Sequence, residues 1–175
     1  LLALILPTDL FEIFFRHESA AMHMLELKIP PALTGAVTAM GMWLISRALP
    51  TFSFAPLRVV AVGMGLTGVA ITGSAMLSFW RAHTTANPMK PSSASFLVTS
   101  GMYGCTRNPM YLGHLIFLIG LAFTFWSWFA VILLAARAIW FHCRVLGDER
   151  RLQAAFGARY DAYRTRVKRW IPYLF

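Results

Sequence analysis

Two short stretches hold most of the side chains able to do chemistry. Residues 100–113 read SGMYGCTRNPMYLG, with two tyrosines and an arginine set around an Asn-Pro step. Farther on come Arg144, Asp148 and Glu149. A connector between apolar segments needs turn residues, but not this company. A guanidinium can hold a carboxylate through two parallel hydrogen bonds, and a tyrosine face can stack on a planar ring or lie beside a cation. No Ser-His-Asp or Cys-His arrangement is evident, and no HxxH, HExxH or cysteine cluster supports a metal. Cys105 and Cys143 lack ligand spacing and make no disulfide framework. Taken by itself, the four-residue spacing of Arg144 and Asp148 also fits a helix-surface ion pair worth about 0.2–0.5 kcal/mol.

The elements that must position these residues are largely apolar. The 175 residues suffice for one domain, read as residues 1–175. A 58% hydrophobic content and a mean hydropathy of +0.60 imply an integral membrane protein. Residues 32–49 and 59–80 each match one bilayer crossing of roughly 20 residues. Residues 81–106 are too rich in Pro, Ser and Thr to span. Residues 111–143 are long for one crossing and short for two; as one helix they would run about 50 Å. The FWSWF sequence at 125–129 places two indoles in mid-run, and indoles prefer the interface. A hairpin turning there is predicted, giving an all-α bundle of about four transmembrane helices. The glycines of GMGLTGVAITG, Gly63 to Gly73, recur near four-residue spacing and predict close helix packing, within the core or at a homodimer face.

Residues 144–175 carry eight Arg or Lys against three acids. Within them Leu152, Phe156, Tyr160, Tyr163, Val167 and Trp170 recur at steps of three and four, predicting an amphipathic C-terminal helix on an anionic membrane face. No nucleic-acid signature accompanies the charge. With four crossings, Arg81, Lys90, Arg107 and the basic tail share one side, and the excess marks that side as cytoplasmic. Leu1–Leu6 is broken by Pro7 and Asp9 with no basic residue before it, which argues against a signal peptide. Residues 1–22 read as an interfacial segment or an N-terminal extension. Arg137, inside the last apolar arm, is placed either at a substrate pocket or close enough to the cytosolic end to snorkel. His114 is expected to bond a neighbouring helix, and His142 to be solvated at the interface.

The block LVTSGMYGCTRNPMYLG, followed by DERRLQAAFGARYDAYRTRVKRWIP, resembles the isoprenylcysteine carboxyl methyltransferase family, with its bacterial relatives and the phospholipid methyltransferases. That family's pattern is roughly L-V-T-x-G-x-Y-x-x-x-R-H-P-x-Y-x-G, then a hairpin, paired glutamates, Phe-Gly-x-x-Tyr-x-x-Tyr and a basic-aromatic-Pro end. The match covers residues 95–172, read as the cofactor-binding catalytic core. The resemblance implies an S-adenosylmethionine site lined by Ser95, Phe96, Leu97 and Val98, completed by Tyr103, Arg107, Asn108, Pro109, Met110 and Tyr111. Asp148 stands at the first family carboxylate, with Glu149 beside it, and the cofactor contact falls to one of the two. Arg144 stands where the family has an arginine facing the substrate, so Arg144, Asp148 and Glu149 form the implied catalytic group and Arg144 with Arg137 the substrate contacts. Asn108 replaces the family's usual histidine, removing any role for a titrating ring.

Methyl transfer from a sulfonium is an in-line displacement in which the protein positions the reactants and excludes water. A carboxylate acceptor is already ionised at neutral pH and needs no general base. The resemblance thus implies methylation of a lipophilic acceptor in a membrane, expected to be a bacterial inner membrane, with the site facing the cytoplasm. Arg144 favours carboxyl O-methylation. N-methylation of a phospholipid amine, a sterol-reductase-like activity and a non-catalytic membrane scaffold are the alternatives. The bacterial relatives need not act on prenylated proteins.

Overall fold

The computed structural model describes residues 31–48, 55–82, 97–125 and 127–171. Residues 1–22, Ser95, Phe96 and Trp126 lie outside the described residues. Among the described residues five helices follow in order: α1 (Pro31–Ala48), α2 (Ala55–Arg81), α3 (Pro109–Phe125), α4 (Trp128–Phe156) and α5 (Ala158–Arg166), with a 3-10 turn at Gly101–Gly104 before α3. No strand occurs among the described residues, in keeping with the all-α expectation. Proline opens both α1 and α3, where its missing N–H costs nothing and its φ is already helical.

The chain breaks between α3 and α4 at the predicted place. Ser127 caps α4, its Oγ accepting from the Phe129 amide at 3.3 Å, and satisfies one of the first-turn donors. The break reverses the chain and brings the far end of α4 back beside Tyr111, at the start of α3.

Among the described residues two helices, across Arg58–Arg81 and Trp128–Phe156, are long and apolar enough to cross a membrane; α3 is apolar but has 17 residues. Their outward faces stay bare, with Val59, Val62, Leu66, Val69, Trp128 and Ile132 all more than half exposed. Inward, the densest contact is between α2 and α3. A Cβ on Gly68 would meet the Gly113 carbonyl oxygen at 2.5 Å and the Phe117 amide nitrogen at 2.7 Å. Glycine is what lets the two backbones touch. Gly63 and Gly73 face open space, so the glycine spacing read from sequence is used at its centre and not along its length.

The continuous amphipathic helix expected at the C-terminus is not what forms. Leu152 and Phe156 end α4, Gly157 turns the chain at φ +50°, Tyr160 and Tyr163 belong to α5, and Val167 leaves the helix in an extended conformation. Only glycine adopts such a turn freely. Nor does the apolar series lie outward: Tyr160, Tyr163 and Val167 form a buried cluster with Leu97, Leu152 and Phe156 against them. A second cluster joins Tyr111, Phe141, Val145 and Trp170. A third, of Met42, Leu118, Ala122 and Ala130, fills the hairpin end.

Candidate functional site

Tyr111 begins the site. It sits in the first turn of α3, where the Asn-Pro step starts the helix, and its ring packs edge-on against Phe141 with centroids 4.9 Å apart. Its hydroxyl donates to Asp148 Oδ2 at 2.7 Å and accepts from Arg144 Nε at 3.2 Å. The guanidinium and carboxylate whose spacing alone fitted a surface pair are therefore linked through a phenol from another helix. Arg144 is buried and also lies over Trp140, at 5.4 Å from its centroid. Arg151, one turn beyond Asp148, reaches Asp148 Oδ1 at 3.2 Å from a partly exposed position.

Glu149, the next residue, faces elsewhere. Its carboxylate accepts from Arg169 Nε at 3.1 and 3.2 Å and from Arg169 Nη2 at 2.9 Å. Arg107 Nη2 lies 3.5 Å from Oε1, with both side chains less than 10% exposed. Removing one partner from so buried a set strands charge and costs about 3–5 kcal/mol. Arg107 Nε and Nη1 have no hydrogen-bond partner among the described residues.

The residues between the two blocks form a floor. The Arg107 amide donates to the Lys168 carbonyl at 2.9 Å, Thr106 Oγ1 to the Arg169 carbonyl at 3.0 Å, and Asn108 Nδ2 to the same carbonyl at 3.3 Å. What Asn108 does here calls for a donor and not for a titrating ring, so the missing histidine leaves this contact intact. Pro109 is fully buried, and Met110 supplies the carbonyl that His114 Nδ1 meets at 2.9 Å. The bond expected from His114 to a neighbouring helix is thus made to its own.

Tyr103 lies in the 3-10 turn, its ring edge-on to Phe79 of α2 at 5.2 Å. Its carbonyl accepts from the Tyr163 hydroxyl at 2.6 Å, tying the turn to α5. Burial pushes the phenols of Tyr103 and Tyr163 well above their usual range. Tyr160, desolvated and beside Glu149, is raised to about 12, with Arg107 pulling the other way. All three are neutral at physiological pH. Val98 is buried; Leu97, with Thr99, Phe156, Arg159, Tyr163 and Arg166, lines a cavity of about 450 Å³ that does not include Tyr111, Asp148 or Arg144.

Arg137 does not snorkel. It is buried two turns before Arg144, hydrogen-bonded to Thr34 of α1, with its guanidinium 4.3 Å from the Trp140 centroid and 4.2 Å from that of Phe141. The contacts extend polar character from the Arg144 level toward the bundle interior. His142 stacks on Trp170, their rings 6.4 Å apart and inclined by 22°.

Sequence reading missed Thr106, Arg169 and Trp170. The basic-aromatic-Pro end was a signal that this segment mattered, but nothing in it said that its carbonyls would meet residues 106–108.

The family model described as phospholipid methyltransferase matches residues 56–159. Among characterised relatives, the Protein-S-isoprenylcysteine O-methyltransferase of Schizosaccharomyces pombe is 29% identical over 126 residues, 71% of this chain and 53% of the relative. The chain thus spans about half the length of that relative. No solved structure matches the chain. The matched residues run from α2 into α5 and take in Tyr103, Tyr111, Arg144 and Asp148.

Proposed function

The chain belongs to the phospholipid methyltransferase family, which includes the isoprenylcysteine methyltransferases, and on that premise we propose that it transfers a methyl group from S-adenosylmethionine to a lipophilic acceptor in the bilayer, by O-methylation of a carboxylate. The observation that carries the proposal is the Arg144–Tyr111–Asp148 link, which joins the two sequence blocks at one point.

The residues fit the cofactor. Asp148 offers carboxylate oxygens to its hydroxyl or ammonium groups, and Arg107, buried beside Glu149, adds the positive charge that suits an anionic end. The rings of Tyr103 and Tyr111 suit adenine or the sulfonium. Leu97 and Val98 contribute backbone, and Asn108, Pro109 and Met110 hold Tyr111 in place. When bound, the cofactor supplies an activated methyl group. Arg144 orients the acceptor carboxylate for in-line approach, and its bond to Tyr111 limits how tightly it can grip that nucleophile. Arg137 lies deeper, toward the acceptor's apolar side. No general base is required, because the acceptor is ionised.

The exposed apolar faces of α1, α2 and α4 exceed what a soluble monomer leaves bare and support helices α1 to α4 as four crossings. The site then faces the cytoplasm with the basic tail. Cysteines introduced singly at Ser127 and Thr165, in a background without Cys105 and Cys143, should label from opposite sides. Labelling from one side overturns the topology.

Isothermal titration of the detergent-purified protein should give micromolar binding of S-adenosylmethionine, about −8 kcal/mol. Absence of heat at millimolar ligand, with folded protein, overturns the proposal. The acceptor type is read from the product: a carboxyl methyl ester releases methanol in mild base, whereas an N-methyl group survives it.

A further inference from the structure

Residues 167–170 form a strap that leaves α5 in an extended conformation and crosses the segment before α3. Four kinds of contact hold it there. The Lys168 carbonyl takes the Arg107 amide, and the Arg169 carbonyl takes both Thr106 Oγ1 and Asn108 Nδ2. The Arg169 guanidinium grips both oxygens of Glu149. Trp170 then buries its ring with Tyr111, Phe141 and Val145.

The polar partners of this strap are three consecutive residues, 106–108, and one carboxylate on α4. Those three residues lead directly into Pro109 and Tyr111. The carboxylate is the immediate neighbour of Asp148. One turn of α4 is therefore held from two sides, Glu149 by the strap and Asp148 by the Tyr111 hydroxyl. A carboxylate bonded to one arginine through both oxygens, with a second 3.5 Å away and under 10% exposure, has little capacity left for a ligand.

The geometry points to a latch: Arg169 and Glu149 lock the strap over residues 106–108 and so fix the distance and direction of Tyr111 relative to Asp148. Glu149 and Arg169 are positioning residues, and the cofactor-facing carboxylate is Asp148. The positioning half of this inference rests on the proposed use of S-adenosylmethionine; the latch itself does not.

The test separates the two. Hydrogen exchange is measured by mass spectrometry on the full chain in detergent, for the wild type, Arg169→Ala, Arg169→Lys and Glu149→Gln. The affinity of each for S-adenosylhomocysteine is measured by titration. In Arg169→Ala and Glu149→Gln, the amides of Arg107, Asn108 and Leu112 within 107–112 should exchange at least tenfold faster, while those of α2 facing Gly113 keep their protection. Ligand affinity should fall about tenfold, and Arg169→Lys, which keeps the charge but loses the fork, should fall between. Unchanged exchange at 107–112 overturns the latch. Faster exchange with unchanged affinity overturns the positioning role. A wild type that binds no cofactor overturns the proposed function instead, and the exchange result alone then decides the latch. If Arg169→Ala does not fold, Thr106→Val, which removes one bond to the strap carbonyl, decides through the same two readouts.

Discussion

The α2–α3 seam of the bundle and its charged end are built by opposite means. Along the seam, at Gly68 against Gly113, the helices touch backbone to backbone, and the core of Met42, Leu118, Ala122 and Ala130 toward the hairpin has no charge in it. At the charged end, Arg107, Arg144, Glu149 and Arg169 are packed among tyrosines and Trp170, joined by hydrogen bonds that cross 20 to 63 residues of chain. The first region tolerates no added atom, and the second tolerates no lost partner. Shape holds one and satisfaction of charge holds the other, so the two should fail differently under mutation.

The largest effect belongs to the close-packed seam. Gly68→Val places a Cβ against the Gly113 carbonyl, and neither backbone can yield without parting α2 from α3. A loss of about 3 kcal/mol or more is expected, seen as a collapse of the detergent melting temperature and of monodisperse yield. Gly63→Ala, on the same helix but facing open space, should stay within about 0.5 kcal/mol of the wild type. Equal behaviour of the two variants breaks the comparison at its base.

The same contrast explains what could be read in the sequence. Apolar runs, the prolines that open α1 and α3 and the tryptophans around Ser127 are local signals, and the helices and the reversal they imply are present. The alignment of Tyr111, Arg144 and Asp148 was legible as two blocks of unusual residues on either side of a hairpin. The C-terminal helix was misread because the three-and-four spacing of Leu152 to Trp170 survives a turn: Gly157 breaks the helix while leaving the apolar residues on the inner side. Thr106 and Arg169 were invisible for another reason. Their partners are a backbone carbonyl and a carboxylate far along the chain, and side-chain type does not encode such contacts. Trp170 was read as part of the apolar series, but not as a neighbour of Tyr111. Arg137 was undecided because a charge seven residues from a helix's polar end can turn either way, and only the position of Thr34 and the two aromatic faces settles it.

At the charged end, Tyr111→Phe should lower cofactor affinity by about 1–2 kcal/mol, roughly 5- to 30-fold, because the phenol that joins Arg144 to Asp148 is gone while the ring still packs on Phe141. The melting temperature should move little. A large drop in stability with unchanged affinity would make Tyr111 a core residue and nothing more. A smaller effect is expected at Asn108. Asn108→Ala removes one 3.3 Å bond to the Arg169 carbonyl and should weaken binding by about 1 kcal/mol, while Asn108→His, which can also donate, should keep binding. If Asn108→His binds no better than the alanine variant, the donor role is wrong.

The smallest effect is expected at Arg151, and it tests the comparison most finely because Arg151 shares Asp148 with Tyr111. The Tyr111 hydroxyl meets Oδ2 at 2.7 Å from a buried ring, whereas Arg151 meets Oδ1 at 3.2 Å with its side chain 27% exposed. A partly exposed pair within one helix turn is worth about 0–1 kcal/mol and is screened by salt. Arg151 also occupies the oxygen that Tyr111 leaves open, so its removal makes Asp148 more available to a ligand. Arg151→Ala should therefore leave cofactor affinity unchanged, or tighten it up to about threefold at low ionic strength, with the difference disappearing by about 0.5 M salt. The measurement is a titration of both proteins across a salt series. A tenfold loss of affinity that persists at high salt would mean that Arg151 belongs to the buried network, and the boundary between that network and the solvated face of α4 would have to be redrawn one turn farther along the helix.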